Sequence, residues 1–187
     1  MARQTSLPSL DAVIEEFRRV PLEPMRTPPG GLLGLLLGLH HNNVVQWSRE
    51  DAARRDNGDD RAVAAAKRDI DALNAKRHEL VEAVDAALAA SLEQDPAAPP
   101  ATESPAMVFD RLSVLVIRMR VTEDAASSQG VDHQLYAARL PVLQEQLALL
   151  QEGLEALFED VRIGRKRFLP YQSLKLYGSH TGGSPRD

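Results

Sequence analysis

An all-α bundle of about five helices, long and antiparallel, with a short basic C-terminal segment, is the fold this sequence predicts. Aromatic residues are only 4% of the chain while Ala and Leu are abundant, so the alternating β-branched and aromatic runs that make strands are missing. Apolar residues recur instead at three-to-four-residue spacing over long stretches, broken by clusters of Pro, Gly, Asn and Asp. At 187 residues the chain has the length of one ordinary domain that closes a core without staples. The expected organisation is a single helical domain over 1–187. Residues 1–30 form an N-terminal helix and a Pro-rich connector, 31–177 the core, and 178–187 a flexible tail.

Ser9 is placed to cap a short helix running through Arg19, with Leu10, Val13, Ile14 and Phe17 on one face. Pro21, Pro24, Pro28 and Pro29 enforce an irregular connector. A second helix is expected from Gly31 to about Asp56, and Asn57-Gly58-Asp59 turns the chain into a third, from Asp60 to about Leu92. The third carries Val63, Ala66, Ile70, Leu73, Leu80, Val81, Val84 and Leu88 as its core stripe. Residues 93–104, rich in Pro and Ala, read as a mobile linker. Ser104 and Pro105 start a fourth helix to about Ala125, apolar nearly all round and therefore the most buried. A last helix runs from about Asp132 to Ile163, kinked or divided at Pro141 and ended by Gly164.

Composition narrows the function classes. A formal net charge of -5 argues against a nucleic-acid surface, which needs an excess of Lys and Arg. Cysteine is absent, so thiolate catalysis, disulfides and sulfur-ligated metals are excluded. The longest apolar stretch, Leu32 to Leu39, is far short of the roughly 20 residues that span a bilayer. With no secretory signal legible at the N-terminus, a cytoplasmic location and no membrane partner are expected. Neither a zinc-helix spacing among His40, His41, His78, His133 and His180 nor a Gly-rich phosphate loop, nucleophile elbow or dinucleotide fingerprint is present. No metal and no cofactor are expected.

Polar residues interrupt the apolar stripes where a core should be. On the second helix the leucine stripe continues as His40, Asn43, Trp47, Glu50, Asp51 and Arg54. On the third, Asn74 and Arg77 sit between Leu73 and Leu80, and on the fourth Asp110 and Arg111 lie inside the most apolar run of the protein. A buried charge requires a counterpart, and Arg77 is the candidate partner of Asp110. The bland alternative is that the second helix emerges into solvent and Arg77 snorkels outward along its aliphatic stem.

HHNNVVQWSREDAAR, KRDIDALNAKRHELVEAVD, TESPAMVFDRLSVLVIRM and YQSLKLYGS, in that order, resemble a bacterial family known as domain of unknown function 4254. The similarity covers roughly Leu32 to Tyr177. Its most specific pieces are Asn43, Trp47, Glu50, Asp51, Ala53 and Arg54, then Ile70, Asp71, Asn74 and Arg77, then Glu103, Pro105, Asp110, Arg111, Leu112, Ser113, Lys175 and Tyr177. His78 departs from the Asn more usual in the family, and Gly178-Ser179 from an Asn-Asp pair. The resemblance implies a helical fold and, for some members, a setting among cell-surface polysaccharide genes. KRDIDALNAKRHELVEAV is also similar to the first helix of chorismate mutases, but the later arginine of such enzymes would fall among Val84, Asp85 and Leu88.

Two functions of different class follow. The first is a catalytic or ligand-binding site for a small phosphate- or carboxylate-bearing molecule between the second, third and fourth helices. Glu50 or Asp51 would act as general acid or base; Arg77 and Arg111 would hold the anion. Asn43, Trp47, Arg54, Asn74 and Asp110 would line the site, with Lys175 and Tyr177 closing it from the basic tail. The second is a non-catalytic scaffold, whose long final helix forms a homodimer or docks a partner protein in coiled-coil fashion, with Leu149, Leu150 and Phe158 widening its stripe. The polar stripes of the second and third helices should face each other. Arg77 should then reach at least one of Glu50, Asp51 and Asp110.

Overall fold

The computed structural model describes residues 8–20, 30–55, 60–128 and 130–174. Among them lie five α-helices: α1 (Leu10–Arg19), α2 (Gly31–Arg55), α3 (Asp60–Ser91), α4 (Pro105–Ser127) and α5 (His133–Arg162). The proline connector, the Asn57-Gly58-Asp59 turn, Lys175, Tyr177 and the C-terminal tail fall outside the described residues.

The helix ends follow local chemistry. Ser9 Oγ accepts from Ala12 N at 3.3 Å and Ser104 Oγ from Met107 N at 3.4 Å, each satisfying a donor that the first turn leaves free. Gly31 opens α2 at φ +75°. Gly164 closes α5 at φ +72°, with Gly164 N on Val161 O (3.1 Å) and Arg165 N on Asp160 O (2.7 Å), a paired closure that residues with a Cβ enter at a cost. Pro141 does not divide α5, which runs through it as one element.

Two antiparallel hairpins, α2–α3 and α4–α5, meet along α4, which touches all four other helices. Its buried residues, among them Ala106, Phe109, Leu112, Leu115, Val116 and Met119, lie on several sides of the helix, so it forms the centre of the core. Val81, Val84 and Leu88 of α3 meet it from one side, and Leu143, Leu147, Leu154 and Val161 of α5 from another. From α1, Phe17, only 1% exposed, stacks its ring on His40 of α2 at 4.4 Å. Arg120 Nη1 on α4 donates to Val20 O at 3.0 Å and ties down the end of α1. The first half of α3 differs from expectation: Val63 is 46% exposed and its neighbours are mostly alanines, too small to build a stripe that excludes water.

Residues 93–104 are tied to the C-terminal segment rather than loose. Pro100 and Arg167 form a parallel bridge, in which Arg167 N donates to Pro99 O (3.1 Å) and Ala101 N to Arg167 O (2.7 Å). Arg167 Nε reaches Ala98 O at 3.0 Å, and Phe168 N donates to Gln94 Oε1 at 2.8 Å. A second clasp centres on Asp85 of α3, fully buried. Its Oδ1 accepts from Ala106 N in the first turn of α4 (2.9 Å) and its Oδ2 from Tyr171 N (2.8 Å). A carboxylate at a helix N-terminus is stabilised by the aligned peptide dipoles. Tyr171 also bonds through its hydroxyl to His78 Nδ1 at 2.7 Å.

Candidate functional site

The polar half of α2 turns inward against α3 and α4. His40, Asn42, Asn43 and Gln46 are buried, spaced along one side of the helix, and each finds a partner on a neighbouring helix. Asn43 Nδ2 donates to Asp110 Oδ1 (2.8 Å) and to Ser113 Oγ (3.0 Å), both on α4. Ser113 Oγ lies 2.9 Å from His40 Nδ1. Since Asn43 already donates to this oxygen, its own proton is free for the His40 ring, which then accepts at Nδ1. Asn42 Nδ2 donates to Leu73 O (3.1 Å), and Gln46 Nε2 to Asn74 Oδ1 (3.1 Å) and Glu50 Oε1 (3.0 Å).

Burial holds the His40 pKa down, from 6.5 to about 4, more than its hydrogen bond with the Phe17 backbone raises it; nearby His41 and Arg120 lower it further. The ring is neutral at pH 7 and serves as a packed acceptor. Asn43 Oδ1, Gln46 Oε1 and Trp47 Nε1 are buried with no hydrogen-bond partner among the described residues. The amide nitrogens of Asn43 and Gln46 are fully committed, so each side chain is oriented by what it donates to.

Asp110 links this interior to a cavity. Its Oδ2 lies 3.6 Å from Arg77 Nε, with the two side chains 19% and 29% exposed respectively, and both line an open cavity of about 590 Å³ between α3, α4 and α5. Arg111, Arg118, Val114, Leu115, Gln146, Leu149 and Leu150 complete its wall. Arg111 bonds Glu103 at 2.7 Å. A second space of about 470 Å³ lies farther along the α4–α5 seam and shares Arg111, Leu149 and Leu150 in its wall with the first.

Arg77, Asp110 and Arg111 are thus together at the cavity, and Asn43 reaches it through Asp110. Asn74 is one step behind, held by Gln46. Glu50, Asp51 and Arg54 are brought together farther along α2, where Glu50 also accepts from Gln46 and so joins the edge of the same network. Arg54 pairs with Asp51 at 3.0 Å and with Glu50 at 3.6 Å, partly exposed. Trp47 is half-buried on α2. Lys175 and Tyr177 lie outside the described residues. Sequence reasoning missed Arg118 as a cavity residue and Ser113 as a junction. Arg118 had a signal: it follows Arg111 by seven residues, two helical turns, with Val114 between them on the same face.

No helix among the described residues is long and apolar enough to cross a membrane, and no group of three or more His, Asp or Glu there is placed to hold a metal ion. Residues 34–169 match a family described as a protein of unknown function, DUF4254. The chain belongs to this family. No curated protein and no solved structure matches it. Asn43, Asn74, Arg77, Asp110 and Arg111 all fall inside the matched span, so the interior network and the cavity are built entirely from the family region.

Proposed function

We propose that the protein binds a small anionic molecule, phosphate- or carboxylate-bearing, in the cavity between α3, α4 and α5. The observation that carries this reading is the charge of the cavity wall: Arg77, Arg111 and Arg118 stand against the single carboxylate of Asp110. Arg111 has Glu103 as its partner and Arg77 shares Asp110 at 3.6 Å, whereas Arg118 has no side-chain partner among the described residues. An oxyanion would gain charge-assisted hydrogen bonds from Arg77 and Arg118 without displacing a strong pair. The volume suits a small molecule, since ligand sites span about 300–1,000 Å³.

In this reading Asp110 is a positioning residue. It accepts from Asn43 on one oxygen and faces Arg77 with the other, which fixes where the guanidinium points. Glu50 and Asp51 would take part in chemistry only on a substrate reaching well along α2. Calorimetric titration with butyl phosphate and with butyrate tests the proposal. At least one should bind, and Arg118→Met and Arg77→Met should each weaken it by tenfold or more, about 1.4 kcal/mol. Absence of binding by both anions, or binding indifferent to both arginines, would refute it.

A second reading, self-association through α5, is favoured by Leu135, Val142 and Leu149. They recur every seven residues and are 52%, 54% and 61% exposed. Sedimentation equilibrium of the wild type against Leu135→Glu/Val142→Glu tests it. A wild-type monomer would end that reading.

A further inference from the structure

Asp110 carries one acceptor that the fold leaves unused. Its Oδ1 takes Asn43 Nδ2 at 2.8 Å, whereas Oδ2 accepts no hydrogen bond among the described residues: Arg77 Nε, at 3.6 Å, lies beyond that reach. The side chain is 19% exposed and stands in the wall of the first cavity with Arg77 and Arg118. A carboxylate oxygen with free lone pairs therefore lies beside the same guanidinium that would hold an anion.

That juxtaposition discriminates between anions. An anionic group bonded to Arg77 brings its own oxygens next to Asp110 Oδ2, and two such oxygens repel unless a proton lies between them. The cavity wall does not supply that proton. Its charged groups besides Asp110 are Arg77 from α3 and Arg111 and Arg118 from α4, with Glu103 on Arg111 at 2.7 Å; α5 contributes Gln146, and no histidine or lysine lines the space. Guanidinium groups do not release their protons. The ligand must bring the proton or take it from solvent. A phosphate has a second pKa of about 6, so near neutral pH it holds one proton or readily regains it while remaining an anion. A sulfate ester or a simple carboxylate is fully ionised there.

Resting on the anion-binding reading above, we infer that the anionic group of the ligand is a phosphate rather than a carboxylate or a sulfate, bound with one proton shared between a phosphate oxygen and Asp110 Oδ2 while Arg77 and Arg118 take the remaining oxygens. Asp110 then touches the ligand as well as orienting Arg77. Above about pH 6 each phosphate dianion takes up a proton from solvent as it binds, so binding weakens as pH rises.

The test is calorimetric titration of the full chain with butyl phosphate, butyl sulfate and butyrate, probes of similar size. At about pH 6 butyl phosphate should bind roughly tenfold or more tightly than either of the others. Its affinity should fall about tenfold per pH unit between about pH 7 and pH 8.5, with proton uptake visible as heats that depend on the buffer. Inorganic phosphate titrated in parallel separates a free ion from an ester, and the inference holds for whichever shows that pH dependence. In Asp110→Asn, Asn43 keeps its acceptor in the amide oxygen, which turns the amide NH2 towards the cavity. This variant should bind butyl sulfate roughly tenfold or more tightly than wild type does, and its affinity for butyl phosphate should no longer weaken with pH. Equal binding of phosphate and sulfate by wild type would overturn the inference while leaving the anion site standing. So would tighter binding of butyrate, phosphate binding that strengthens with pH, or discrimination that survives in Asp110→Asn. Failure of every probe to bind would remove the anion reading and this inference together.

Discussion

His40 makes stability depend on pH in a way that can be worked out from its surroundings. The ring is 2% exposed, stacked on Phe17 and hydrogen-bonded to Ser113, and burial lowers its pKa from 6.5 to about 4. Between those values the unfolded chain takes up a proton that the folded chain refuses, so stability rises with pH. The contribution is fully present above pH 6.5, is lost progressively as pH falls towards about 4, and changes no further below that. A shift from 6.5 to about 4, at 1.36 kcal/mol per unit, corresponds to about 3 kcal/mol in all, most of which falls between pH 7.5 and pH 4.5.

Acidification also protonates carboxylates, so the wild-type curve alone does not isolate His40. Replacement by a residue that accepts a hydrogen bond without titrating does. Urea unfolding of wild type and His40→Gln at about pH 7.5 and about pH 4.5 should show the wild type losing about 2–3 kcal/mol more than the variant. The variant should be less stable than wild type at the higher pH, from poorer packing on Phe17, with the gap closing at the lower. Parallel losses in the two proteins would show that His40 is not held neutral and would refute the reasoning.

Asp85→Asn should destabilise the fold by about 1–3 kcal/mol, because an amide offers one acceptor oxygen where Ala106 N and Tyr171 N require two. Hydrogen exchange in that variant should accelerate at Tyr171 and leave the middle of α4 slow. In wild type, the Ala101 and Arg167 amides should be protected relative to exposed loop amides, since the bridge between the two segments engages both; unprotected exchange there would show the segments separate readily. Gly153→Ala should raise stability by about 0.5–1 kcal/mol, measured by urea unfolding, as helix preference is gained with no clash. Arg77→Met should cost about 1 kcal/mol or less, because Asp110 keeps its bond from Asn43 and some solvent, while Glu50→Gln should change neither stability nor butyl phosphate binding measurably.

Helix order and ends were legible because each end carries its own local signal: Ser9, Ser104 and Gly164 act through bonds to residues a few positions away. The clasp between residues 94–101 and 167–168 was not, since it depends on residues some seventy positions apart and on Pro and Ala, whose backbones carry it. Pro and Ala enrichment reads as looseness only when nothing lies opposite. The same limit governed the polar stripe of α2. Its two readings, buried and emerging into solvent, are both realised on one helix: Asn43 and Gln46 are inside, Arg54 is outside. Helical periodicity tells which side a residue is on but not how far along the helix a neighbour extends.

That division of α2 bears on how its acidic residues should be weighed. Gln46 turns to α3 and Glu50 to Gln46 and Arg54, and neither Glu50 nor Asp51 is among the residues that line the cavity with its arginines. Asp110 is the acid that faces them, and its orientation is set from behind, by an amide whose second hydrogen holds Ser113 and through it His40. If the cavity binds an anion, the polar core of α2 contributes by fixing one carboxylate, and hence one guanidinium, rather than by meeting the ligand. Asn43→Leu separates these roles: it strips the donor from Asp110 and Ser113 without entering the cavity. It should cost about 1–3 kcal/mol of stability and weaken butyl phosphate binding less than Arg118→Met does. Loss of binding as complete as that of the arginine variant, in a protein still folded by circular dichroism, would mean that Asn43 touches the ligand itself.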